Sequence, residues 1–146
     1  MPQITFFVPG IPVAKGSAKA FYNRATGRAM ITQTNRDKQK PWASMIGYCA
    51  QEAGCKPSAD AIALSLCFVM PRPKNHFRTG NNSDTLKPSA PDYHTSRPDL
   101  DKLIRCVKDG LTGVAYRDDS QVIIVYAEKK YGLSPGVSVE IASKEL

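Results

Sequence analysis

Apolar positions recur along the chain in two periods. Ile4-Thr5-Phe6-Phe7-Val8 reads as a strand that Pro9-Gly10 stops. Phe21-Tyr22-Asn23 and Ala29-Met30-Ile31-Thr32 are placed to pair as a hairpin across Ala25-Thr26-Gly27. Trp42, Met45, Ile46, Cys49, Ala50 and Ala53 recur at helical spacing, which predicts a helix over about 35–53, closed by Gly54 and started or bent at Pro41. Ile62, Leu64, Leu66, Phe68 and Met70 alternate with smaller residues and predict a long strand that Pro71-Arg72-Pro73 ends. The stretch 71–98 is rich in Pro, Asn, Ser and Thr and reads as a long surface loop. Leu100, Leu103, Ile104, Val107 and Leu111 then form a helical stripe, with Gly110 or Gly113 as its stop. Strands are expected over Gln121–Tyr131 and around Val137, Val139 and Ile141. The turn Leu133-Ser134-Pro135-Gly136 suggests that these two form a hairpin. The order predicts one α/β domain, a mixed sheet packed by two helices.

Composition supports that reading. The 146 residues suit a single core, and 42% are hydrophobic before glycine is counted, so the chain can bury one. No stretch approaches 18 uninterrupted apolar residues, so no membrane partner is expected, and the start shows no basic, secretory n-region. Cys49, Cys55, Cys67 and Cys106 form no C-x-x-C pair and only two histidines exist, which argues against structural zinc and for reduced thiols in a cytoplasmic protein.

Charge changes the picture. The formal net charge is +7, and residues 1–40 hold seven basic residues against one acid. A surface of that kind attracts polyanions. Five of the nine aspartates fall between 99 and 119, namely Asp99, Asp101, Asp109, Asp118 and Asp119. A dense acid cluster repels nucleic acid unless a divalent cation sits between them.

Two segments hold that cluster: Arg97-Pro98-Asp99-Leu100-Asp101-Lys102-Leu103-Ile104-Arg105 and Arg117-Asp118-Asp119-Ser120-Gln121. Inside a helix, side chains two apart point about 200° away from each other. Pro98 and the stripe beginning at Leu100 put Asp99 at the N-cap instead, from where its carboxylate can turn toward Asp101. Arg105 lies one turn below Asp101, opposite the leucine stripe. Clustered carboxylates raise one another's pKa, and a hard cation reverses that penalty. Magnesium uses few carboxylates, keeps waters and completes its shell with phosphate oxygens, which suits phosphodiester hydrolysis. The same residues also suit a plain helix cap and an ordinary turn, and spacing leaves both readings open. A restriction-type signature, Pro98-Asp99 with Glu128-Lys129-Lys130, is a rival that needs its parts on adjacent strands.

These segments, with Asp109-Gly110-Leu111-Thr112, Gln121-Val122 and Pro9-Gly10-Ile11-Pro12-Val13-Ala14-Lys15-Gly16, resemble the RusA family, Holliday junction endodeoxyribonucleases of bacteria and their prophages. The resemblance implies metal-binding aspartates at Asp99, Asp101 and Asp119, with Asp118 beside them. It puts the family's catalytic lysine position on Arg105, which keeps the charge but cannot carry a proton. Lys102 stands where the family has Asn, and Gly110 where it has Ala. The catalytic set implied is Asp99, Asp101, Asp119 and Arg105, with Mg2+ as cofactor, Mn2+ as a possible substitute and no small-molecule cofactor.

The substrate implied is four-way junction DNA, resolved by paired symmetric nicks in recombination and repair. Two symmetric scissile phosphates call for two sites, hence a homodimer. Lys15, Lys19, Arg24 and Arg28 from the basic region of about 11–40, and Arg72, Lys74 and Arg78 from the long loop of about 71–98, are the candidate DNA contacts. Phe77 is a candidate wedge at an opened junction, His94 a candidate phosphate or water contact, and Trp42 a core residue. The alternative is a non-enzymatic basic DNA-binding protein.

Overall fold

A computed structural model describes residues 3–16, 18–33 and 36–144. Its elements are β1 (Gln3–Pro9), β2 (Ala18–Asn23), β3 (Arg28–Gln33), α1 (Arg36–Glu52), β4 (Ala61–Met70), α2 (Leu100–Leu111), β5 (Val122–Tyr131) and β6 (Gly136–Lys144). Four strands form a mixed sheet in the order β1-β6-β4-β5, and β2 pairs with β3 as a separate ribbon. This is the expected α/β domain with a mixed sheet and two helices.

The long alternating strand takes the centre. Ile62, Leu64, Leu66, Phe68 and Met70 of β4 are all buried, on the face that carries the helices. Ile46 and Ala50 of α1 and Leu103, Cys106, Val107 and Leu111 of α2 complete the core, and Trp42 is buried with them, as expected. Helix α1 begins at Arg36 and runs through Pro41, its sixth residue, whose missing N–H leaves one backbone carbonyl of the first turn without its helical bond. It ends at Gly54 (φ 98°), where Cys55 N donates to Ala50 O and Gly54 N to Gln51 O, the paired bonds of a Schellman stop.

The expected hairpin between the last two strands does not form. Strand β5 pairs in parallel with β4, β6 pairs antiparallel with the other edge of β4, and β4 lies between them. The connection from 132 to 135 has only to cross the end of β4. That distance is about 9.6 Å, two interstrand spacings, which four residues cover easily. A short turn between antiparallel strands therefore looks the same in sequence whether or not a third strand intervenes. The β2–β3 hairpin does form, with Asn23 opposite Arg28 and Asn23 Oδ1 accepting from Ala25 N at 2.9 Å.

Gly110 does not end α2. It lies inside the helix, where a Cβ would come within 2.6 Å of Ala43 O and 3.1 Å of Ile46 Cβ on α1. Gly47 on α1 faces Gly110 O in turn, so two glycines let the helices cross closely. The stop lies further on: Thr112 caps the helix, Gly113 takes φ 83°, and the buried Tyr116 hydroxyl donates to Lys108 O at 3.0 Å. Gly110→Ala would gain about 1 kcal/mol of helix propensity but drive a methyl into a backbone carbonyl. Urea unfolding is expected to show a net loss of about 1–3 kcal/mol; a stabilised variant would contradict the close crossing.

Candidate active site

Asp99 is the N-cap of α2, in extended conformation (φ −71°, ψ 140°), and its carbonyl accepts the first helical bond, from Leu103 N at 3.1 Å. Its side chain makes no capping hydrogen bond. The carboxylate lies instead 3.8 Å from Lys102 Nζ and lines a cleft of about 570 Å3 with Lys15, Lys38, Arg97 and Lys102. Asp101 and Arg105 are exposed on α2, one turn apart. An acid whose backbone caps the helix while its carboxylate caps nothing is explained poorly by the plain-cap reading.

The approach to Asp99 is fixed from the sheet. Lys129 of β5 points to the helix-bearing face, beside Phe68 of β4. Its ammonium donates to Ser96 O and Pro98 O, both at 2.8 Å, and so holds the cis Arg97–Pro98 step that delivers Asp99. Glu128 points to the opposite face, where its Oε1 accepts from Cys67 Sγ at 3.5 Å. The restriction-type reading fails on this alternation, because Glu128 and Asp99 lie on opposite sides of the sheet.

Asp118 and Asp119 are built by different means. Asp118 caps a single 3-10 turn, Asp119–Gln121, accepting from Ser120 N at 2.8 Å, and that bond holds its carboxyl below the usual range. Gln121 rivets the turn in place. Its Oε1 accepts from Arg117 N (2.9 Å) and Asp118 N (2.8 Å), and its Nε2 donates to Ser58 O (2.7 Å) and Asp60 O (2.9 Å) at the entrance to β4. Asp119 is exposed and free of that capping duty.

The two aspartate groups stand apart within one chain. Asp99 and Asp101 lie at the start of α2, level with Lys129 near the end of β5, and Asp118 and Asp119 precede the first residue of β5. Twelve helical residues separate the two ends of α2 by about 18 Å. Among the described residues, no three His, Cys, Asp or Glu side chains are grouped to hold a metal ion. Magnesium takes as few as one or two carboxylates, the number that Asp99 and Asp101 offer at this end of α2, whereas the full set of four aspartates does not converge within the described residues of one chain.

The family model described as endodeoxyribonuclease RusA matches residues 9–142. The chain belongs to the RusA endodeoxyribonuclease family. RusA nucleases act on Holliday junctions and generally depend on a divalent metal. The chain is also similar to the uncharacterized protein YqaN of Bacillus subtilis (strain 168), at 28% identity over 97% of this chain and 96% of that one.

The basic residues of this RusA-family chain fall into distinct settings. Arg24 and Arg28 are exposed around the tip of the β2–β3 ribbon, and Lys74 and Arg78 are exposed in the long loop. The side chain of Lys19 lies outside the described residues. Lys15 Nζ pairs with Asp109 at 3.0 Å. Arg72 stacks over Tyr131, 4.4 Å from the ring centroid, and its Nη1 donates to Pro91 O at 2.7 Å. Phe77 is half-buried and bridged to Leu86. His94 is no surface residue: it is 8% exposed and packs 4.9 Å from the Tyr131 ring. Burial first, then Lys129, holds its pKa below the ordinary value, so it stays neutral at pH 7 and brings no charge to phosphate. No helix among the described residues is long and apolar enough to cross a membrane.

Tyr131 was not singled out from sequence, and Lys129 and Gln121 stood there only as members of the rival signature and of the family-like motif, without the roles their carbonyl and amide contacts give them in placing Asp99 and the Asp118–Asp119 turn. Lys129→Met is expected to lose about 1–2 kcal/mol in urea unfolding, since two charge-assisted bonds disappear. It is also expected to slow junction cleavage about 10-fold at limiting magnesium while binding junctions normally in EDTA. Lys129→Arg, with a fork that reaches both carbonyls, is expected to recover most of the rate. Cleavage by Lys129→Met at the wild-type rate would show that the bonds do not position Asp99.

Proposed function

We propose that the chain is a magnesium-dependent, homodimeric endonuclease that resolves four-way DNA junctions by paired nicks in recombination and repair, with manganese able to replace magnesium. The observation that carries the reading is the exposed Asp99–Asp101 pair at the start of α2, with a cap carboxylate that makes no cap bond and faces a cleft of basic residues. A bound divalent ion would supply an activated water and neutralise charge at the scissile phosphate. Asp99 at the N-cap and Asp101 in the first turn of α2 would hold it. Arg105, one turn on, sets a fixed positive charge toward the phosphate; as a guanidinium it stabilises charge and moves no proton. Lys38, Arg97 and Lys102 line the cleft and bind the backbone around the bond to be cut.

Asp119 enters through a second protomer. The length of α2 keeps it away from Asp99 and Asp101 of its own chain. A two-fold dimer with the two α2 helices antiparallel brings it to the other copy's pair instead, and symmetry does so twice. Two composite sites then serve the two symmetric phosphates of a junction. A non-enzymatic binder would keep the basic surface but has no use for exposed carboxylates amid it.

Asp101→Asn separates the two readings. The change is nearly isosteric and removes one negative charge from a metal ligand. The variant is expected to bind junctions in EDTA as well as wild type, or better, because repulsion of phosphate falls. In magnesium it is expected to cut at least ~100-fold more slowly, the scale of losing one electrostatic catalytic group. Near wild-type cutting would overturn the metal-site reading and favour the binding protein.

A further inference from the structure

Strands β2 and β3 form a two-stranded sheet of their own. Such a ribbon is marginal in water unless something packs on it, yet this one leaves large side chains uncovered. Tyr22 is 65% exposed, Phe21 44% and Met30 43%. The register pairs Phe21 with Met30 and Tyr22 with Ala29, so successive aromatics lie on opposite faces of the ribbon. Charge indicates what covers them. From 10 to 36 the sequence has no acidic residue, and Arg24 and Arg28 flank the tip. A second copy or a peptide needs acids to meet that surface; DNA meets it with phosphates.

The position of the ribbon connects it to the site. Its two feet, Gly16 and Lys38, line the same cleft as Asp99, and Gly16 N donates to Gln39 Oε1 at 3.1 Å across the base. Six residues per strand make the ribbon about 20 Å long.

We propose that the β2–β3 ribbon is a base-stacking arm: Arg24 and Arg28 hold phosphates while Phe21 and Tyr22 stack on nucleobases unpaired near the crossover. The proposal rests on the reading of the chain as a junction nuclease and adds how it tells a junction from continuous duplex. Aromatic stacking needs a base out of its pair, and an intact duplex offers none. Phosphate contacts are common to both DNAs and cannot discriminate.

The test is equilibrium binding in EDTA, so it does not depend on whether the aspartates hold metal. Wild type and Phe21→Ala/Tyr22→Ala are titrated against a labelled four-way junction and a linear duplex of the same sequence, over a series of salt concentrations. The double variant is expected to bind the junction at least ~10-fold more weakly and the duplex within ~2-fold of wild type. Its slope of log K against log salt is expected to match wild type, because no phosphate contact is removed. Arg24→Gln/Arg28→Gln is expected to behave differently, weakening both DNAs and flattening the slope by about 1.8. Wild-type junction affinity in the aromatic variant, or an equal loss on both DNAs, would overturn the proposal. So would sedimentation showing that the aromatic variant has lost an oligomer that wild type forms, since a second copy would then be what covers the ribbon.

Discussion

Helix α2 is a rigid spacer of about 18 Å with carboxylates at both ends, and the proposed chemistry of this chain depends on how it is held. One side packs on α1 through the Gly47–Gly110 crossing, which leaves little freedom to slide or roll. Lys129 fixes the segment that enters it, and Gln121 fixes the turn that follows it. Lys129 stands within β5 and Gln121 immediately before it, so a single edge strand sets the position of the Asp99–Asp101 pair and of Asp119. Because the helix cannot shorten, the aspartates meet only if a second protomer supplies one of them.

Charge is arranged along the same axis. The segment from Ile11 to Gly16 lies beside the first turn of α2, with Lys15 N on Lys102 O and Lys15 Nζ on Asp109. Pairs as exposed as Lys15–Asp109 and Lys102–Asp99 add little stability. Their effect is local: Lys102 sets a cation beside the Asp99 carboxylate at the cleft, and Lys15, which also lines the cleft, ties its ammonium to Asp109 further along α2. The basic ribbon joins that surface at its feet, where Gly16 and Lys38 line the cleft.

Much of this was legible in sequence where one local cause decides the outcome. Alternation gave β4 its place as a buried strand, the leucine stripe gave α2, and Pro98 ahead of that stripe put Asp99 at the N-cap. Ala25-Thr26-Gly27 marked the hairpin turn. The pairing of β5 was not legible, because a short turn constrains direction and not the neighbour. Of the two glycines read as possible helix stops, Gly113 serves and Gly110 does not, because the reason for Gly110, Ala43 O on another helix, is far away in sequence. Lys129 was visible only as part of a rival signature and Gln121 only as part of a family-like motif, because the carbonyls they serve are far away in sequence. The loop from 71 to 98 read as a free surface for DNA, but the Tyr131 ring draws Arg72 and His94 onto the end of β5 and ties much of it down.

The account turns on a site shared between two protomers, and mixing two inactive variants tests it directly. Asp101→Asn and Asp119→Asn homodimers are each expected to bind a four-way junction without cutting it in magnesium. In a mixed dimer, a shared site doubles both substitutions in one place and leaves the other place fully wild type. Mixing and re-equilibrating the two is therefore expected to restore nicking, with one strand cut per junction rather than two. If each site lies within one chain, every site in the mixture carries one substitution, and no nicking on mixing would contradict the account.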